Sequence, residues 1–448
     1  MENLRVALTR AENVRDAGRR LLRRGSRGVR RAVSRRRGPL AYLAIIGPGM
    51  VAANAGNDAG GIATYASAGA DYGYRLLWTL IPLVIALGIV QETCARMGAV
   101  TGKGLSDLIR EQFGVRWTMV VMLALLVANG GVTVSEFVGI AAATELFGVP
   151  RFVSVPLAAF AIWWLVVKGS YRRVERVFLL MSLVFLGYIV SAFMAKPVWG
   201  DVARGFLQPE INFNAGYLFT IVALIGTTIS PYMQVFVQSS VVEKGVTEED
   251  YNLTRVDVWT GTIFAIGIAF FITVATAATL HPRGIRIESA EQAALALEPL
   301  AGTYAKLLFG VGLFGASMLA AGVLPLATAY SISEALGFEK GVSRSFREAP
   351  IFIGIFTFLI VTGGLVAILP GLPLIDVLLV TQVINGLLLP VLLVSILRLV
   401  NNRELMGANV NGRVYNVASW LTVVVVSTLS LLFIATKIFP GLFGWFKV

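Results

Sequence analysis

The chain has 448 residues, of which 56% are hydrophobic and only 14% are charged, and its formal net charge is +12. Soluble domains carry about 25% charged residues, so this composition excludes an ordinary soluble fold and indicates that lipid covers the apolar surface. The single cysteine, Cys94, and the single histidine, His281, exclude an internal disulfide framework and a Cys/His zinc site, which needs three or four ligands.

The positive charge is concentrated before the first apolar segment. Residues 1–41 contain 13 arginines and three acids, which leaves this tail with a net charge of +10. Binding to nucleic acid is one interpretation of such a tail. We favour the other, a cytoplasmic arm that fixes the topology and contacts anionic lipid headgroups, and we expect no nucleic-acid partner.

Eleven segments are long enough to cross a bilayer, which takes about 17–25 apolar residues. They lie near residues 42–72, 75–98, 117–147, 152–168, 175–195, 215–240, 256–280, 303–336, 350–369, 373–398 and 414–440. Their connections are too short to fold alone, so the sequence predicts an all-α integral membrane protein with one transmembrane domain over residues 42–440.

Lysine and arginine are more numerous in the connections that lie on the same side as the N-terminus. Because cytoplasmic loops carry this excess, we predict a cytoplasmic N-terminus. An odd number of spans then predicts a short extracellular C-terminus at residues 441–448. The expected location is the cell (inner) membrane.

The first span contains a carboxylate among glycines. Asp58 is followed by Ala59, Gly60 and Gly61. Glycine destabilises a helix by roughly 1 kcal/mol per residue, so the cluster predicts a break. A charge at bilayer depth indicates a functional site by default. The alternative is pairing with a buried lysine or arginine, but none lies near the centres of the first seven spans.

The sixth span is interrupted between Gly226 and Pro231. Proline cannot donate its backbone amide and clashes with the preceding turn, although a simple proline kink is the alternative interpretation. The two interruptions lie at corresponding places in two groups of five spans. Such pairs are typical of inverted-repeat transporters, in which the unwound segments bind the substrate near the bilayer midplane.

Several motifs resemble those of the NRAMP family of divalent-metal transporters. The family motif Asp-Pro-Gly-Asn, followed by x-Ala-Thr, is similar to residues 58–64. Further similar segments are residues 68–78, 91, 95–96, 101–103, 136–139 and 402–407. The resemblance covers about residues 40–440. It implies eleven helices in a LeuT-like inverted repeat of helices 1–5 and 6–10, with helices 1 and 6 unwound and carrying the ion ligands.

The departures from the family pattern change the chemistry of the implied site. Thr227, Ser230 and Tyr232 stand where the family has Ala, Met and His in its sixth helix. Gly61 replaces the asparagine ligand, and Asp58 keeps the aspartate ligand. A thioether selects soft or borderline metals, so its loss removes the basis for preferring them. The resemblance then implies a metal site of oxygen atoms from Asp58, Thr227 and Ser230, with extra space at Gly61.

A roomy, oxygen-only site suits Mg²⁺, which keeps several waters and binds few carboxylates. The pattern resembles the NRAMP-related magnesium transporter (NRMT) branch, and Mn²⁺ is hard enough to share the site. Gln382, near the family's tenth-helix glutamine, is expected to contact the ion or its waters, or to form a helix–helix hydrogen bond instead. The transported ion is the only metal expected, with no resident cofactor.

The family's proton path uses acids on the third helix and the histidine of the sixth. Thr133 and Tyr232 occupy two of those positions, and only Glu136 remains as an acid. A phenol ordinarily ionises near pH 10 and relays protons poorly at neutral pH. We therefore predict uncoupled uniport by alternating access, with these three residues in a residual proton path or in gating. Glu136 and Glu92 leave proton coupling open as the alternative.

The favoured prediction is a monomeric Mg²⁺ and Mn²⁺ uniporter, and there are three alternatives. The first is a proton-coupled transition-metal transporter of the same family. The second is a sodium-coupled organic solute symporter, whose substrate carboxylate Asp58 would repel. The third, a non-transporting receptor, usually carries a large soluble domain. No phosphate loop or nucleophile–base pair indicates an enzyme.

Overall fold

The computed structural model describes residues 57–168, 186–298, 302, 305–338 and 348–438. Within these ranges the regular structure is helical, without strands, and comprises fifteen α-helices. The first seven are α1 Ala59–Tyr72, α2 Leu80–Thr101, α3 Leu105–Glu145, α4 Arg151–Lys168, α5 Leu186–Met194, α6 Trp199–Leu207 and α7 Ala215–Thr228. The others are α8 Pro231–Glu243, α9 Tyr251–Thr279, α10 Ala290–Ala294, α11 Ala305–Leu336, α12 Pro350–Ala367, α13 Leu374–Val400, α14 Arg403–Met406 and α15 Arg413–Ile438.

Eight of the described segments are long and apolar enough to cross a membrane. They are Leu77–Thr101, Leu105–Glu145, Ala215–Glu243, Tyr251–Arg283, Ala305–Leu336, Pro350–Ala367, Leu374–Val400 and Arg413–Thr436. They correspond to the second, third and sixth to eleventh predicted spans, and the shorter apolar helix Arg151–Val167 corresponds to the fourth. The all-α membrane class is therefore confirmed.

Parts of the predicted architecture lie outside the described residues. The first and fifth predicted spans each begin in a range that the structure does not describe, so the number eleven and the inverted repeat stay predictions. The predicted tail at residues 1–41 and the C-terminus at residues 441–448 also lie outside the described residues.

Large apolar side chains cover the outward surfaces of the described helices. Leu157 and Phe160 of α4, Leu365 of α12 and Leu421 of α15 are exposed. By contrast, buried polar residues occur throughout the interior. This distribution suits a protein whose solvent is lipid, because lipid accepts apolar surface and polar groups must find partners inside.

The predicted interruption of the sixth span is present. Helix α7 ends at Thr228, and α8 begins at Pro231, where the missing amide proton of proline costs no helical hydrogen bond. The backbone between them, at Ile229 and Ser230, leaves helical geometry, with ψ angles of 48° and 139°. In the first span, α1 begins at Ala59 with Asp58 as its N-cap, and Gly60 and Gly61 lie inside its first turn. The part of this span before residue 57 lies outside the described residues, so the predicted break of the first span stays a prediction.

Helix α1 lies at the centre of the described helices. It packs against α9, α13, α7, α3 and α11. Around it, α3 packs extensively against α11, α13 and α12, and α7 packs against α13. The N-terminus of α1 and the α7–α8 interruption are therefore both enclosed by protein, which is where irregular backbone is tolerated in a membrane protein.

Two glycines allow α7 and α13 to approach closely. A Cβ atom added to Gly226 would overlap the backbone carbonyl of Gln382 and the backbone of Gly386. A Cβ atom added to Gly386 would in turn approach the carbonyl of Val222 at 2.5 Å. Small residues of this kind let membrane helices pack backbone to backbone.

Gly226→Ala should lower the thermal stability of the protein, because the added methyl meets backbone atoms that cannot move aside. Overpacking typically costs about 1–3 kcal/mol, and each kcal/mol lowers the Tm of a large domain by roughly 2–4 °C. Thermal unfolding in detergent measures the effect. Gly354→Ala on α12 is the control, since a Cβ atom there meets nothing within 4 Å. Equal melting temperatures for the two variants would contradict the packing argument.

Candidate functional site

Asp58 caps α1 from within the protein interior. The Gly61 amide donates to its Oδ1 atom at 2.5 Å, and the side chain is 1% exposed. A carboxylate at this position accepts an otherwise unpaired amide and interacts favourably with the helix dipole. Its Oδ2 atom has no hydrogen-bond partner. In the part of the chain that the structure describes, no lysine or arginine pairs with this carboxylate.

A second carboxylate lies at the same helix terminus. Glu136 of α3 is fully buried, and its Oε2 atom accepts a hydrogen bond from the Ala59 amide at 3.2 Å. Its Oε1 atom accepts one from the Ser135 hydroxyl at 3.3 Å. The Asp58 and Glu136 carboxylates interact electrostatically across the first turn of α1. Two like charges at low dielectric repel strongly, so the pair favours a bound cation or a proton.

The α7–α8 interruption contains one hydroxyl group that is hydrogen-bonded and one that is not. The Ser230 hydroxyl donates to the carbonyls of Gly226 at 2.7 Å and Thr227 at 3.2 Å. It thereby satisfies carbonyls that the helix end leaves unpaired. The Thr227 hydroxyl is fully buried and has no hydrogen-bond partner. The Thr227 carbonyl therefore already accepts a hydrogen bond from Ser230, whereas the Thr227 hydroxyl is available to a ligand.

Helix α13 lies between the N-terminus of α1 and the α7–α8 interruption. The Gln382 side chain lies against Gly60 in the first turn of α1, where any added Cβ atom would overlap it. Asn385, one turn further along α13, donates from Nδ2 to the Ser230 hydroxyl at 3.3 Å and to Gln382 Oε1 at 3.4 Å. Gln382 therefore packs against α1 at Gly60, but its recorded hydrogen bond lies within α13 and its Nε2 atom has no partner, so whether it contacts the ion stays a prediction.

Asn385 is a site residue that the sequence reasoning missed. The available signal was its position three residues after Gln382, which places both amides on one face of an apolar helix. Its contacts link Ser230 to Gln382, and Gln382 in turn lies against Gly60, two residues after Asp58. The role of the predicted residues in binding a metal stays a prediction.

Four buried polar atoms in this region have no hydrogen-bond partner. They are Asp58 Oδ2, Thr227 Oγ1, Gln382 Nε2 and Asn385 Oδ1. Leaving such an atom unpaired typically costs about 1–3 kcal/mol. Three of the four can accept a hydrogen bond or ligate a cation. The cluster therefore suits a cation that arrives with some of its water. The described residues contain no group of three or more His, Cys, Asp or Glu arranged to hold a metal.

The remaining predicted residues differ in how they relate to the carboxylates. Tyr232 in the first turn of α8 is fully buried and interacts electrostatically with both Asp58 and Glu136. The Tyr65 hydroxyl is 2.7 Å from the Thr228 hydroxyl and joins α1 to α7. The Thr133 hydroxyl donates to the Asn129 carbonyl of its own helix at 2.7 Å. Thr133 is thus satisfied locally, whereas Tyr232 interacts electrostatically with the acidic pair.

Comparison with known proteins gives one family. Residues 49–436 match the model of the Nramp family, described as natural resistance-associated macrophage protein-like. The divalent metal cation transporter MntH of Deinococcus radiodurans is 29% identical over 431 residues, covering 91% of this chain and 90% of the relative. MntH of Yersinia pestis is 30% identical over 416 residues, covering 89% and 97%.

Solved structures show the same fold at low sequence identity. A crystal structure of the Eremococcus coleocola manganese transporter, in complex with an aromatic bis-isothiourea substituted compound, superposes with a TM-score of 0.71 at 18% identity. It covers 91% of this chain and 90% of that chain. MhsT in complex with L-phenylalanine gives a TM-score of 0.58 at 14% identity, covering 87% and 98%.

Proposed function

The chain belongs to the Nramp family, and from that premise we propose that it moves Mg²⁺ and Mn²⁺ through the membrane by uncoupled alternating access. As a member of this family it is a transporter and not an enzyme, with a fold shared by LeuT-type transporters. A divalent cation is the substrate class that its named relatives support.

One observation carries the proposal. The Asp58 carboxylate is buried with a free oxygen and without a lysine or arginine partner among the described residues. An unneutralised carboxylate in a low-dielectric interior is costly, so Asp58 favours either a bound cation or a proton. A divalent cation bound between Asp58 and the neighbouring Glu136 would supply the compensating positive charge.

The neutral groups around Asp58 favour a hard, hydrated ion. Ser230 and Thr227 contribute hydroxyls and carbonyls at the α7–α8 interruption, and Gln382 and Asn385 contribute amides. None of these groups is a thioether or thiolate, which soft metals prefer. Mg²⁺ keeps several waters when it binds, and the unpartnered atoms are suited to hold those waters.

Transport without protons is supported by the residue beside the acidic pair. Tyr232 is a buried phenol next to Asp58 and Glu136, and a phenol relays protons poorly at neutral pH. The membrane potential alone supplies roughly 4.6 kcal/mol per 100 mV for a divalent cation, twice the value for a single charge. That energy suffices for accumulation driven by an inside-negative potential.

Proton-coupled transport is the second candidate, and Glu136 is the observation that favours it. Its carboxylate shares the α1 terminus with Asp58, so the two acids are suited to hold one proton when the cation leaves. A sodium-coupled solute symporter is disfavoured, because both acids would repel a substrate carboxylate.

Asp58→Ala should abolish divalent cation uptake, because it removes the charged ligand and the cap of α1 together. Uptake of Mg²⁺ and Mn²⁺ into proteoliposomes measures the loss. Asp376→Ala is the matched control, since that carboxylate is exposed in the first turn of α13 and its variant should transport normally. Near-normal uptake by Asp58→Ala would remove the basis of the proposal.

Restoring the family's ligands should change the ion preference. The triple variant Gly61→Asn, Thr227→Ala and Ser230→Met returns an amide and a thioether to the site. We expect the ratio of Mn²⁺ to Mg²⁺ kcat/KM to rise about tenfold, equivalent to roughly 1.4 kcal/mol. Competition assays with both ions measure it, and an unchanged ratio would count against the assigned ligands.

Uncoupled transport predicts that Mg²⁺ influx leaves the lumen pH constant. Proteoliposomes loaded with a pH-sensitive dye and clamped at an inside-negative potential with valinomycin test this directly. The uptake rate should rise with the potential and should be insensitive to an imposed pH gradient. Acidification in fixed proportion to Mg²⁺ entry would instead establish the proton-coupled candidate.

A further inference from the structure

Asn385 occupies a position between the two interrupted segments. It is fully buried on α13, and its Nδ2 group divides its two hydrogen bonds between the Ser230 hydroxyl of the α7–α8 interruption and Gln382 Oε1. Gln382 in turn lies against Gly60 of α1. The Asn385 amide therefore contacts both the Ser230 hydroxyl at the α7–α8 interruption and the Gln382 side chain that lies against α1.

The oxygen of the Asn385 amide has no hydrogen-bond partner. Asn385 Oδ1 is buried and has no hydrogen-bond partner, although an amide oxygen can accept two hydrogen bonds. A buried amide that pairs only its donors usually meets a water or a ligand with its oxygen. Two other unpartnered atoms of this region, Asp58 Oδ2 and Thr227 Oγ1, can also accept a hydrogen bond, and the fourth, Gln382 Nε2, is a donor without an acceptor.

We propose that Asn385 selects for a partly hydrated cation: its Nδ2 group positions Ser230 and Gln382, and its Oδ1 atom accepts a hydrogen bond from a water bound to the ion. This inference rests on the proposed transport of Mg²⁺ and Mn²⁺, and it adds a residue that contacts the water molecules bound to the ion. Asn385 is in this role a specificity-determining residue, while Asp58 supplies the charge.

The chemistry of the two ions explains why such a residue discriminates. Mg²⁺ loses its waters reluctantly and demands near-octahedral geometry, so a site that keeps those waters must supply acceptors for their protons. Asp58 attracts every divalent cation through its charge. The neutral Asn385 amide oxygen instead holds a water of the ion, so it favours the ion that keeps that water.

Asn385→Leu replaces the amide by an apolar side chain with the same branching and number of heavy atoms and removes the donor and the acceptor together. We expect the KM for Mg²⁺ to rise about tenfold, the effect of losing one hydrogen bond in a charged site, and the KM for Mn²⁺ to rise less. Uptake by proteoliposomes at a fixed potential gives both values. Asn385→Ala is the second variant should Asn385→Leu fail to fold, and the same change in the ratio is expected.

Asn129→Leu is the matched control. Asn129 is likewise a fully buried amide, and it donates to the Thr328 hydroxyl at 2.8 Å, between α3 and α11. Its variant should leave the Mg²⁺ to Mn²⁺ ratio of KM values unchanged. A second readout, the rise in melting temperature that Mg²⁺ produces in detergent, should shrink for the Asn385 variants and persist for the control.

The outcomes separate the two proposals. If the unaltered protein carries neither ion, the proposed function and this inference both fail. If it carries both ions and the Asn385 variants change the two KM values by the same factor, or change neither, only the role of Asn385 is overturned. A selective loss for Mg²⁺ with an unaffected Asn129→Leu control supports it.

Discussion

The first turn of α1 holds two buried carboxylates, and the neighbouring helices enclose them. Asp58 accepts the Gly61 amide, and Glu136 accepts the Ala59 amide from the other side. The positive end of the helix dipole moderates the repulsion between the two carboxylates but cannot cancel it. The pair therefore favours a bound cation or a proton, and that it binds a metal is our proposal.

Close packing brings the neutral partners to this charge. Glycines at Gly60, Gly139 and Gly226 stand where any side chain would overlap a neighbouring helix. Gly139 of α3 meets Ala59, which brings the Glu136 helix against α1, and Gly60 makes room for the Gln382 side chain. Since membrane helices gain little from burying apolar surface against each other, such contacts between small residues determine which helices meet.

The neutral groups around Asp58 are relevant to which ion the site prefers and to whether transport is coupled to protons. Hydroxyls and amides hold water as readily as they hold a metal, so a site made from them suits an ion that keeps part of its hydration shell. Tyr232, a phenol that interacts electrostatically with Asp58 and Glu136, stands where a relay would need a group that ionises near neutral pH. In our proposal, ion preference and coupling depend on a few positions around Asp58.

The sequence alone was sufficient for the membrane class and for the interruption before Pro231. These features are local, because apolar length and proline chemistry can be recognised without knowing which helices pack together. A charge in an apolar segment singled out Asp58, whose role in transport stays a prediction. The sequence analysis did not predict that Asp58 caps α1 at Ala59 with Gly60 and Gly61 inside the helix.

Only the tertiary structure decided how those features meet. Glu136 contacts α1 across 77 residues of sequence, and Asn385 reaches Ser230 across 155. It also showed that the Ser230 hydroxyl is engaged by its own helix end, whereas the Thr227 hydroxyl is free. Sequence periodicity reports which face of a helix is polar, but partners on other helices depend on packing angles and on small residues at the crossings, which no local pattern encodes.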